Sequence, residues 1–129
     1  TDLAAVPALS GTVDLSRLPL AAPVEEIVLL TAVRGPVLAH FRDEEVTLTI
    51  DWDRGILPST MLWISDRALL EAPWNGRYRG LGVEAIASAF DFDQSVSASP
   101  NPLSESGVGT SVTVTAQSPV RIRSSLAVT

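Results

Sequence analysis

The chain has 129 residues, 46% hydrophobic and 19% charged, with nine basic and fifteen acidic side chains and a formal net charge of -6. All nine bases are arginine, there is no cysteine, and there is a single histidine. The acidic balance argues against a phosphate-binding surface, which needs clustered Lys and Arg, and the lack of cysteine excludes disulfides, thiolate metal sites and cysteine nucleophiles.

A chain of this length suffices for one domain that buries roughly 65–70% of its unfolded surface. One histidine excludes a His-rich metal centre. No apolar run approaches the ~20 residues of a membrane span. No basic region followed by a hydrophobic signal core stands at the start, so the expectation is a soluble cytoplasmic protein. The sequence opens on Thr1 without an initiator methionine, which leaves open a longer parent chain.

Residues 1–23, TDLAAVPALSGTVDLSRLPLAAP, show no period of 2 or 3.6 and read as an irregular lead-in over a core. Turns fall at Ser10-Gly11 and near Pro19. VEEIVLLTAV then reads as a strand ending at Gly35-Pro36. In the next run Val46, Leu48, Ile50 and Trp52 alternate with Thr47, Thr49 and Asp51, a period of 2 with one face buried. Arg42-Asp43-Glu44-Glu45 forms the turn of an antiparallel hairpin.

Residues 57–92 are the richest stretch, with two of the three tryptophans and the only tyrosine and methionine. MLWI, holding Trp63, reads as a strand bounded by Pro58 and Asp66-Arg67. SDRALLEA is the one segment with helical character, and it is short. Asn75-Gly76 in PWNGRY favours a tight turn. GLGVEAIASAF returns to an apolar run interrupted by Glu84, a carboxylate that is costly to bury without a partner. Residues 93–109, rich in Ser, Pro, Asn and Gly, read as a long surface loop. Two more strands close the chain: TSVTVTA, with Val112 and Val114 on one face, and VRIRSSLAV, with Val120, Ile122 and Leu126 inward. The expected fold is an all-β antiparallel sandwich with residues 24–128 as its sheet region.

The stretch MLWISDRALLEAPWNGRYRGLGVEAIASAFD, followed by a loop and GVGTSVTVTAQ, resembles the C-terminal half of the galactose mutarotase-like family, which includes the aldose 1-epimerases. In that family a Trp-bearing strand precedes a turn, and a Gly-hydrophobic-Glu strand presents the catalytic glutamate, which matches Glu84. The resemblance implies a β-supersandwich with a concave sugar site, and isomerisation of a sugar at its anomeric carbon. A glutamate would act as base and a histidine as acid, without metal or cofactor. The family's histidine motifs have no counterpart here, and His40 lies in VLAHF without their surrounding pattern. Glu25-Glu26 stands near the place of the family's sugar-binding Asp.

Glu84 is therefore the candidate catalytic base, with Trp63, Trp74 and Arg77 as candidate contacts to a monosaccharide or sugar derivative. Its structural alternative is a carboxylate paired with Arg77 or Arg79. Trp52 is assigned to the core, His40 to a structural role and Asp43-Glu44-Glu45 to a solvated turn. Two other readings stand beside the isomerase: a non-catalytic carbohydrate-binding sandwich and a structural interaction domain. If the chain is half of a supersandwich, a second copy or a missing N-terminal half is expected to complete it, and neither nucleic acid nor membrane is an expected partner.

Overall fold

The computed structural model describes residues 2–8 and 11–129. The chain is mostly β-strand in antiparallel sheets with very little helix, an all-β fold of the sandwich-like kind. A 3-10 turn at Leu3–Ala5 is followed by β1 (Val6–Pro7), β2 (Thr12–Val13), β3 (Val24–Leu30), β4 (Val37–Phe41) and β5 (Val46–Trp52). Then come β6 (Ser59–Asp66), β7 (Arg79–Ile86), α1 (Gln94–Ala98), α2 (Pro102–Glu105) and β8 (Ser124–Val128). Two compact units divide the chain: Thr1–Val28 with Leu62–Gly82, and Leu29–Met61 with Val83–Thr129.

In the first unit the lead-in is more ordered than its composition predicts. Strands β1 and β2 pair antiparallel, Val6 opposite Val13, and Gly11 takes a positive φ between them. Ser10, the other half of the predicted turn, lies outside the described residues. Val6 and Leu15 are buried with Ile64 of β6, and Leu3, Val13, Leu20, Val24 and Val28 pack around them. The two strands are two residues each, too short to write a period into the sequence, so hydrophobic contact rather than repeat pattern orders them.

Residues 24–28, 62–66 and 79–82 form the first unit's share of a sheet ordered β3-β6-β7. The central strand β6 is buried along its whole length except at Trp63, its polar residues Ser59, Thr60, Ser65 and Asp66 included. Its last residue, Asp66, is buried and multiply bonded. Asp66 Oδ2 accepts from the Leu20 N–H at 2.9 Å, and Oδ1 accepts from Arg67 Nε at 2.8 Å and Arg79 Nε at 3.3 Å. Arg67 Nη2 donates in turn to the Leu20 carbonyl at 3.0 Å. These bonds explain why SDRALLEA forms no helix. Asp66 bonds to the lead-in instead of capping, and Arg67 at φ 60 turns the backbone out of the right-handed region.

In the second unit β4, β5 and β8 form an antiparallel sheet in that order. The β4–β5 hairpin turns at residues 42–45, as its charge cluster predicts, with Glu45 at φ 54. Trp52 is buried, and its Nε1 donates to the Leu57 carbonyl at 2.8 Å. The rest of β5 is half-buried on both faces rather than buried on one.

Residues 93–109 carry two short helices where the sequence predicts a loop. Asp93 caps α1, accepting from Ser95 N at 2.8 Å and Val96 N at 3.2 Å. Asn101 caps α2 in a capping box with Ser104, and Pro102 occupies the first turn. The cap residues were present in the sequence, but the Ser- and Pro-rich composition around them masks the signal.

The C-terminal strands differ most from expectation. TSVTVTA, at 110–116, belongs to none of the named strands; Thr115 makes only an isolated bridge with Ser118. In VRIRSSLAV only the last five residues form β8. Ile122 and Leu126, predicted inward, are exposed, Leu126 at 73%.

Candidate functional site

The first unit brings two of the predicted sugar contacts together. Trp63 projects from β6, the one half-buried position on that strand. Trp74 stands in the turn that joins β6 to β7, 41% exposed. Trp74 N donates to the Glu71 carbonyl at 2.9 Å and Gly76 N to the Leu69 carbonyl at 2.8 Å. Asn75 at φ 49 and Gly76 at φ 66 complete the reversal, the geometry predicted from this dipeptide.

Between the two indoles lies Tyr78. Its ring centroid is 4.6 Å from Trp74 with the planes at 54°, and 6.2 Å from Trp63 at 33°. Both separations fall in the range of favourable aromatic pairs. The three rings therefore form a row, Trp63–Tyr78–Trp74. Gly80 makes the row possible, because a Cβ there would fall 2.5 Å from the Tyr78 hydroxyl oxygen. Any other residue at position 80 must displace the tyrosine.

Polar groups flank the row at its Trp63 end. Glu25 Oε2 accepts from Trp63 Nε1 at 3.0 Å, and Glu25 Oε1 accepts from the Ser65 hydroxyl. These bonds orient the carboxylate and the indole together. Arg77, exposed beside the turn, adds a guanidinium to the first unit. Arg79 turns instead to Asp66. Tyr78 and Ser65 are members that sequence reasoning missed, and Glu25 was placed only as one of the pair Glu25-Glu26 near the family's sugar-binding Asp. Gly80, two residues after an aromatic, was the available signal for Tyr78, whereas nothing local distinguished Glu25 from Glu26.

Glu84 lies on the part of β7 that belongs to the second unit, and its side chain is exposed. The chain's single histidine, His40, is exposed on β4, with Nδ1 3.1 Å from Thr47 Oγ1 across the hairpin. The second unit also has two open hollows. One, of about 540 Å³, lies among Ser97, Ser99, Ser104 and Thr110; the other, of about 750 Å³, among Ile56, Pro58, Val112 and Arg121. Neither contains Glu84. Among the described residues no cluster of three or more His, Cys, Asp or Glu has the arrangement to hold a metal ion. Nor is any helix among them long and apolar enough to cross a membrane.

An aromatic row with an oriented carboxylate and a hydroxyl at one end has a definite chemical capability. Ring faces take the C–H face of a pyranose, and the carboxylate and hydroxyl accept and donate hydrogen bonds at its rim. No family model, no curated protein and no solved structure matches the chain.

Proposed function

We propose that the chain is a carbohydrate-binding β-domain that holds a neutral sugar against the Trp63–Tyr78–Trp74 row. The observation that carries this reading is the row itself, with Glu25 fixed by Trp63 and Ser65 at one end. Trp74 supplies open ring surface, Glu25 the acceptor for a sugar hydroxyl, and Arg77 a donor near the turn. Binding needs only these contacts, whereas isomerisation also needs an acid and a base flanking one sugar. A mutarotase-like reaction with Glu84 as base therefore asks for an acid as well, and the one histidine, His40, bonds to Thr47 on the β4–β5 hairpin.

The test is a titration of intrinsic tryptophan fluorescence with a panel of aldoses and short oligosaccharides. The expected outcome is a saturable shift for at least one of them, abolished by Trp74→Ala and by Gly80→Ala, which displaces Tyr78. Polarimetry on freshly dissolved sugar separates the two functional readings. Binding without faster mutarotation supports this proposal. Mutarotation that is lost in Glu84→Gln and kept in Trp74→Ala would replace it with the isomerase.

A further inference from the structure

Charges around the aromatic row are unevenly matched. The first unit holds six acids and four arginines. Arg67 and Arg79 both bond to Asp66, and Arg17 acts on Asp14 in the lead-in. Arg77 belongs to the turn at the Trp74 end of the row, where its N–H donates to the Trp74 carbonyl at 3.0 Å. At the Trp63 end stands Glu25, and among the described residues no basic side chain pairs with it.

Both oxygens of Glu25 are nonetheless held. The donors are neutral, the Trp63 indole N–H at 3.0 Å and the Ser65 hydroxyl, so they orient the carboxylate without cancelling its charge. Each oxygen keeps room for a second hydrogen bond. An exposed acid with no partner is ordinary on a protein surface. Glu25 differs because its orientation is set by a ring of the proposed sugar site. A cation that bonds to it is brought beside the Trp63 indole, and aromatic faces attract cations within about 6 Å of their centres. Tyr78, its centroid 6.2 Å from that of Trp63, adds a second such face.

We infer, resting on the sugar reading above, that Glu25 sets the charge preference of this site: a pyranose carrying a protonated primary amine, an amino sugar, binds more tightly than its neutral counterpart. The C–H face of the ring lies on the aromatic row, as for a neutral sugar, and the ammonium donates to Glu25. A hydrogen bond between ionised partners is shorter and roughly twice as strong as one between neutral groups, so the ammonium gains more from Glu25 than a hydroxyl does. The opposite orientation would set the ammonium toward the turn that carries Arg77, so charge also fixes which way round the sugar lies.

The experiment is calorimetric titration of the chain with glucose, glucosamine and N-acetylglucosamine, each as the monosaccharide and as a short oligomer of one linkage. Protonated glucosamine is expected to bind about fivefold more tightly than glucose, the combined effect of a cation–π contact and an ion pair at an exposed site. N-acetylglucosamine, whose nitrogen is an uncharged amide, is expected to lack that advantage. Glucosamine is expected to lose it at ~1 M salt, where the screening length falls to about 3 Å. In Glu25→Gln the affinities for glucose and glucosamine should become equal, whatever their absolute values. The acetyl and salt comparisons use the wild type and decide the matter even if that variant does not fold. Equal wild-type affinity for glucose and glucosamine overturns the inference and leaves the sugar reading standing. A glucosamine advantage that persists at ~1 M salt or in Glu25→Gln also overturns it. Binding of none of the three overturns the sugar reading and this inference together.

Discussion

Asp66 is the most heavily bonded side chain in the first unit, and removing its charge makes a quantitative test of how the lead-in is held. Asp66→Asn keeps the shape and an acceptor for the Leu20 N–H, but takes the charge from the bond to Arg67. A hydrogen bond to a charged group contributes about 1.5–3 kcal/mol and a neutral one about 1, so the expected loss is about 1–2 kcal/mol. The Arg79 pair adds little, because that guanidinium is more than half exposed and exposed pairs are screened. Asp66→Ala also strands the Leu20 N–H, about 1–3 kcal/mol more, for a total of about 3. Urea denaturation of the wild type and both variants measures this directly.

The pH dependence gives the same prediction a sign. The Arg67 guanidinium beside Asp66 holds its carboxyl below the usual carboxylate range; the Leu20 N–H and Arg79 act in the same direction and burial opposes them. A folded value below the unfolded one means the stabilisation is present above the unfolded pKa of about 3.9 and is lost as pH falls through the folded value. The gap between wild type and Asp66→Asn should therefore be full above about pH 4 and close in stronger acid. Asp14, Asp51 and Asp93 also titrate low, but both proteins carry them and the difference cancels them. An Asp66→Ala protein within about 0.5 kcal/mol of wild type would refute the clamp. So would a gap that stays constant through the acid range.

Asn101 caps α2 and also donates to the Ser99 carbonyl at 2.9 Å and to Thr110 Oγ1 at 3.0 Å, so Asn101→Ala should cost about 2–3 kcal/mol by chemical denaturation. Asn101→Asp, which caps but cannot donate, should fall between the two. Thr60 is fully buried, and its hydroxyl meets no hydrogen-bond partner among the described residues. The near-isosteric Thr60→Val should therefore raise the unfolding free energy by about 1 kcal/mol, whereas a fall would show that the hydroxyl is satisfied in solution.

What the sequence made legible was local. The turn at Asn75-Gly76 and the acidic hairpin turn at 42–45 rest on contacts within a few residues, the strand around Trp63 shows as a short apolar run, and each appears where predicted. What it hid depends on distant partners. Val6 and Leu15 become core because Ile64 meets them, some fifty residues on. The division into two units leaves no linker in the sequence, since it runs through β3, β6 and β7 rather than between strands. TSVTVTA has the pattern of a strand, but a pattern supplies only one side of a ladder. Strand propensity is realised when a neighbouring edge is there to pair with it.

The candidate site residues follow the same division. Glu84 drew attention because a carboxylate inside an apolar run is expensive to bury. The structure leaves that carboxylate exposed, so the cost never arises and the anomaly that singled it out disappears. Glu25 stood out in the sequence only as one of the pair Glu25-Glu26 near the place of the family's sugar-binding Asp. Its interest comes from groups about forty residues away, the Trp63 indole and the Ser65 hydroxyl, which hold both of its oxygens. A carboxylate oriented by two donors beside exposed aromatic surface has lost much of its rotamer freedom before a ligand arrives. A ligand that uses it therefore has less entropy to lose on binding. That preorganisation is the feature of the first unit on which the proposed sugar site rests.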